Sequence, residues 1–243
     1  SVAVVDSVET QCYDEEAPPR GGRESWRLSR MMSAGQMAGH YGLPYGYQPS
    51  SKLSPEQLGN YPAVVLPNVS CLSSEARKDL SDYVGQGGVL VALGETATRD
   101  EVGQPADGTF LEEVFGIASC VLERQPCEFS ETGEHEAFSG LPWPDEITAR
   151  DSWGGNPHPV LGLDYVARAE ATGDAEVLAV LSGGEGSAEG APAITVKRVG
   201  AGYGVFVAGV PSRWFRRKAV GNTVLSFSRQ VVSQLILSLI EEK

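Results

Sequence analysis

The chain has 243 residues, with 19 basic against 32 acidic side chains and a formal net charge of −13. Hydrophobic residues at 41% and charged residues at 21% are ordinary globular usage, which excludes a disordered or fibrous chain. The acidic balance also argues against a nucleic acid or an anionic membrane as the main partner, because both call for a basic face.

The length fits one domain or two, and no internal repeat, low-complexity tract or linker divides it, so residues 1–243 are read as a single domain. The apolar stretch near the C-terminus is interrupted by Ser226, Ser228, Arg229, Gln230, Ser233 and Gln234, so no segment reads as a membrane span. No signal peptide precedes Val2–Val5. The abrupt start at Ser1 reads as a cut from a longer chain, so compartment is not legible, with the cytoplasm slightly favoured. Four cysteines, Cys12, Cys71, Cys120 and Cys127, form no CxxC or Cys/His cluster. They read as structural thiols, with Cys120–Cys127 the one local pairing the spacing allows.

Val2–Val5 is a short apolar run suited to a strand buried on both faces. Trp26, Met31, Met32 and Met37 mark a helix between Glu24 and His40, ended by Gly42 and Pro44. Tyr45-Gly46-Tyr47 reads as a weak second strand. Ser54-Pro55-Glu56-Gln57 is a capping box with proline at the first helical position. Ala63–Leu66 is a further buried strand. Ser73 or Ser74 caps a helix whose apolar stripe is Ala76, Leu80, Tyr83 and Val84, and Gly87-Gly88 stops it before the strand Val89–Leu93. Strand, helix and strand in this order predict parallel pairing through right-handed crossovers, hence an α/β sheet covered on both faces.

Phe110–Phe115 reads as a short helix ending at Gly116, and residues 117–175 as largely irregular. Glu176–Leu181 is a strand. Ala193–Arg198 and Tyr203–Ala208 form an antiparallel hairpin about Gly200-Ala201-Gly202. The closing helix spans Ala219–Glu242, with Val220, Val224, Phe227, Val231, Leu235 and Leu239 on one side.

Gly200-x-Gly202-x-Gly204 invites a phosphate-loop reading, but it lies between two strands rather than between strand and helix, which favours the hairpin turn. His40, His135 and His158 are scattered and form no metal-ligand spacing, so neither metal nor other cofactor is expected. The turn after Val89–Leu93 reads Gly94-Glu95-Thr96-Ala97-Thr98 and offers no serine or cysteine. Thr96 suits the φ > 0 geometry of a nucleophile elbow poorly. Asp6, Glu95 and Asp100 fall beyond the carboxyl ends of strands, where open α/β sheets place ligands; the competing reading is helix capping or solvation. Trp153 and Trp214, with Phe215, suit sugar stacking or loop anchoring. Arg213, Arg216, Arg217 and Lys218 make one basic spot, either a solvated helix entrance or a contact for an acidic partner.

Tyr61–Pro67, Leu72-Ser73 and Leu80-x-x-Tyr83-Val84-x-x-Gly87-Gly88-Val89-Leu90-Val91 resemble the class I glutamine amidotransferase-like domain, and most closely the trimerisation domain of bacterial family-42 β-galactosidases. Phe110–Ile117, His135–Pro142 and Gly202–Phe206 leading to Gly209 are similar to the same group. The resemblance implies a flavodoxin-like three-layer sandwich with a mainly parallel central sheet and an added antiparallel hairpin. Amidotransferases of this class carry a cysteine on the elbow. Here Glu95-Thr96 stands there and Cys71 follows the preceding strand, so glutaminase activity is not implied.

The leading expectation is a non-catalytic accessory or oligomerisation domain of a larger carbohydrate-active protein, its partners being other domains of the parent chain or further copies. Two alternatives stay open. One is a hydrolase with Glu95 or Asp100 as general base and His135 nearby; the other is a sugar-binding module using Trp153 or Trp214.

Overall fold

The computed structural model describes residues 1–13, 34–35, 43–123, 128–132, 148–150, 157–159, 166–182, 189–209 and 227–242. The expected helix between Glu24 and His40 and the basic spot at 213–218 therefore lie outside the described residues, save for positions 34–35.

Four strands form the parallel half of the sheet in the first hundred residues: β1 (Val2–Asp6), β2 (Tyr45–Pro49), β3 (Ala63–Pro67) and β4 (Val89–Leu93). Every residue of β3 and β4 is buried, as continuous apolar runs require when both faces of a sheet are covered. Helix α1 (Val8–Tyr13) follows β1 directly. The short α2 (Pro55–Leu58) starts as the capping pattern predicts, with the Ser54 hydroxyl accepting the Gln57 amide at 3.3 Å. Of the two serines that suit the cap of α3 (Ser74–Gly85), Ser73 takes the role by accepting the Ala76 amide at 3.2 Å. Ala76, Leu80, Tyr83 and Val84 of α3 are buried as a stripe.

The remaining strands are β5 (Ile117–Glu123), β6 (Glu128–Glu131), β7 (Thr148–Arg150), β8 (Pro157–Pro159), β9 (Val166–Ala171), β10 (Glu176–Ser182), β11 (Pro192–Val199) and β12 (Gly202–Val207). The helix α4 (Phe227–Glu241) comes last. The described residues within 117–175 form strands rather than irregular chain: β5 pairs antiparallel with β9, and β7 with β8, as small ribbons. The short helix expected at 110–115 is a single π-helical turn over Leu111–Phe115, ended by Gly116 in the left-handed region at φ 65°.

The main sheet has eight strands in the order β2-β1-β3-β4-β12-β11-β10-β6. The five from β2 to β12 run parallel, in the arrangement of the flavodoxin-like fold; β11, β10 and β6 extend the sheet antiparallel. β12 is where the two halves meet, paired to β4 on one side and to β11 on the other.

The Gly200–Gly204 motif has a packing role. Gly200 turns the hairpin at φ 61°, where a Cβ would lie 2.7 Å from the Gly85 carbonyl oxygen. A Cβ at Gly202 would overlap the carbonyls of Val84 and Gly88, and one at Gly204 would overlap that of Val114. The end of α3 and the π turn therefore press on one face of β12. Tyr203, pointing the other way, donates its hydroxyl to Glu242 at the end of α4 at 3.0 Å. Helical layers thus cover both faces of the sheet, with Val232, Leu235, Ile236 and Leu239 of α4 buried.

Side chains of β11 fasten the π turn: Thr195 donates to the Phe115 carbonyl at 3.2 Å and Lys197 to that of Glu112 at 2.8 Å, while Lys197 also pairs with Asp174 at 2.6 Å. Replacing Gly204 by alanine should therefore destabilise the protein by about 1–3 kcal/mol, as overpacking does. Gly173→Ala, at a site with nothing within 4 Å of the new methyl, should stay within about 0.5 kcal/mol of the parent. Chemical denaturation of the two variants checks both.

Candidate functional site

The carboxyl ends of the parallel strands gather Asp6, Glu95, Thr96 and Asp100, while His135, Trp153 and Trp214 lie outside the described residues. The strand order reverses between β1 and β3, the point at which flavodoxin-like sheets receive ligands. Here that junction is bridged by the chain itself. Ser7 caps α1 by accepting the Thr10 amide at 3.0 Å, and its single proton has two acceptors in reach, Glu9 at 3.0 Å and the Cys71 carbonyl at 3.2 Å. The Cys71 amide donates to the Thr10 hydroxyl at 3.0 Å, tying the loop after β3 to α1. Ser50, just past β2, donates to Glu9 at 2.7 Å, and Asp6 accepts from the Gln11 amide group at 3.3 Å. Burial works against the charge of Glu9, but hydrogen bonds from Ser50, its own backbone amide and Ser7 outweigh it, so its carboxyl ionises below the usual carboxylate range.

The turn after β4 distributes its strain in a way the sequence does not announce. Positive φ falls on Gly94 (73°) and Ala97 (54°), and not on Thr96, the residue expected to suffer at the elbow. Asn68, itself left-handed at φ 53°, accepts the Glu95 amide at 3.0 Å through its side-chain oxygen. Glu95 also accepts from the Thr98 hydroxyl at 2.8 Å. Thr96 is fully buried, and its hydroxyl oxygen has no hydrogen-bond partner among the described residues.

Asp100 faces its own turn: one carboxylate oxygen accepts the amides of Val102 at 3.0 Å and Gln104 at 2.7 Å. This aspartate therefore shapes the 100–104 turn, a role that the Asp-x-x-Gly spacing of Asp100 and Gly103 already signals. Arg99 fixes the same turn from beneath, its guanidinium 4.4 Å from the centre of the Tyr13 ring and one nitrogen donating to the Gly103 carbonyl at 3.2 Å.

The group missed by sequence reasoning is Cys120. It is a free thiol on β5, and Cys127, the one partner the spacing allows it, lies outside the described residues. The fold turns Cys120 toward the elbow, near enough to the Thr96 backbone and the Glu95 carboxylate for both to act on its ionisation. Burial first, and Glu95 second, push the Cys120 thiol up to about 12. A sulfur does stand beside the elbow, then, but as a protonated thiol, which is a poor nucleophile. Among the described residues no group of three or more His, Cys, Asp or Glu side chains is placed to hold a metal ion, and no helix is long and apolar enough to cross a membrane.

Three outcomes follow from these environments. Iodoacetamide at neutral pH should label the exposed Cys12 while sparing Cys71 and Cys120 until the protein is unfolded, as peptide mass mapping would show. Because the folded Cys120 thiol stays protonated where an unfolded thiol ionises, near pH 8.5, its contribution to stability should fall as pH rises from there toward 12. Cys120→Ala should flatten that alkaline decline in denaturation midpoints. Glu9 works in the opposite sense: its stabilisation is present above about pH 4.3 and is lost as pH falls through its lowered folded value. Glu9→Gln should therefore cost about 1–2 kcal/mol at neutral pH and weaken the acid sensitivity of unfolding.

Solved structures share this arrangement of elements. The β-galactosidase of Rahnella sp. R3 superposes with a TM-score of 0.66 at 18% identity, over 98% of this chain and 31% of its own. Gan42B, a GH42 β-galactosidase from G. stearothermophilus, gives 0.62 at 18% identity, over 98% of this chain and 30% of its own. A cytoplasmic protein of Salmonella typhimurium LT2 gives 0.58 at 14% identity and matches over 98% of this chain and 99% of its own. The chain thus spans about a third of the length of the β-galactosidases it resembles and nearly all of the Salmonella protein. No curated protein matches the sequence. The sequence model of the β-galactosidase trimerisation domain matches residues 54–225, well over half of the chain, and the protein belongs to that family.

Proposed function

We propose that this chain is a non-catalytic accessory domain that holds copies of a larger carbohydrate-active protein together, most simply as a trimer. The observation that carries the reading is the match of residues 54–225 to a trimerisation domain, together with structural neighbours in which the same fold makes up about 30% of a β-galactosidase. The state of the sheet's carboxyl edge supports it. Glu9, Glu95 and Asp100 are engaged in fastening loops, the thiol beside the elbow is kept protonated, and side-chain caps bridge the β1/β3 junction. On this reading Asp6, Glu95 and Asp100 are structural pegs of a rigid platform, with Thr96 packed inside it, rather than parts of a catalytic cleft.

Strands from the first hundred residues and from beyond residue 175 join one eight-stranded sheet, which supports treating residues 1–243 as one domain. The strand order and the turn after β4 likewise support a place within the wider amidotransferase-like superfamily, with its elbow cysteine replaced by Glu95-Thr96.

Light scattering on the full-length parent protein tests the proposal. The parent should have the mass of three chains, and deletion of the segment corresponding to residues 1–243 should reduce it to one while the remaining catalytic domain stays folded. A monomeric parent, or a mass per particle that the deletion leaves at three chains, would overturn the assembly role. A stable trimer should bury well over about 1,000 Å² at each contact.

A further inference from the structure

We draw no further inference here: the strongest candidate, the exposed edge-to-face pair of Tyr45 and Tyr47 on the edge strand β2, carries nothing because nothing among the described residues shows what would dock on it.

Discussion

The backbone of β12 lies so close to its neighbours that two of its positions have no room for a side chain. On one face Gly202 meets the carbonyls of Val84 and Gly88, and Gly204 meets the carbonyl of Val114 in the π turn. On its two edges the strand hydrogen-bonds β4 in parallel and β11 antiparallel. The two halves of the sheet, the helical layer and the π turn are therefore referenced to one six-residue segment. A close-packed interior transmits small displacements instead of absorbing them. A shift of β12 would thus be felt at Val207, whose carbonyl accepts the Gly94 amide and so sets the origin of the elbow.

The carboxyl edge shows how the same kinds of residue serve different ends. Serine, threonine, aspartate and glutamate beyond the strand ends are what a ligand cleft would contain, and they are also what loops need to satisfy backbone amides. Geometry decides between these uses. Asp100 spends one oxygen on two amides of its own turn, Asn68 holds the Glu95 amide, and Ser7 links α1 to the loop carrying Cys71. The buried Thr96 hydroxyl is the exception, a polar group at the centre of this edge whose oxygen has no hydrogen-bond partner among the described residues. A fixed, internally bonded edge suits a domain whose work is to keep its shape against neighbours.

Much of the fold is legible in the sequence where local chemistry and tertiary context agree. Val2–Val5, Ala63–Leu66 and Val89–Leu93 are apolar and rich in β-branched residues, and they are the buried centre of the sheet. Ser54 and Ser73 announce their helices because capping is a local interaction. β9 is hidden for the opposite reason: Val-Ala-Arg-Ala-Glu-Ala favours a helix by propensity, and pairing with β5, with a bridge from Val166 to Gly209, makes it a strand. The candidate site is less legible than the fold. The turn formed by Asp100 is readable from its spacing to Gly103. The approach of Cys120 to Thr96 is not, because it depends on where a separate two-stranded ribbon docks against the main sheet.

β4 ends at Leu93 and its parallel neighbour β12 begins at Gly202, so the two central strands touch while a long stretch of chain runs between them. Closing such an excursion costs entropy that grows only logarithmically with length, about 0.6 kcal/mol for each doubling. The excursion returns to these strands through the Val114 carbonyl against Gly204 and through β11 paired to β12, so the register depends on those elements and not on the loops between them. Insertions and deletions in the loops of this stretch, outside the π turn, β6, β10 and β11, are consequently the least expensive way for such a protein to remodel its outer surface while leaving the central sheet unaltered.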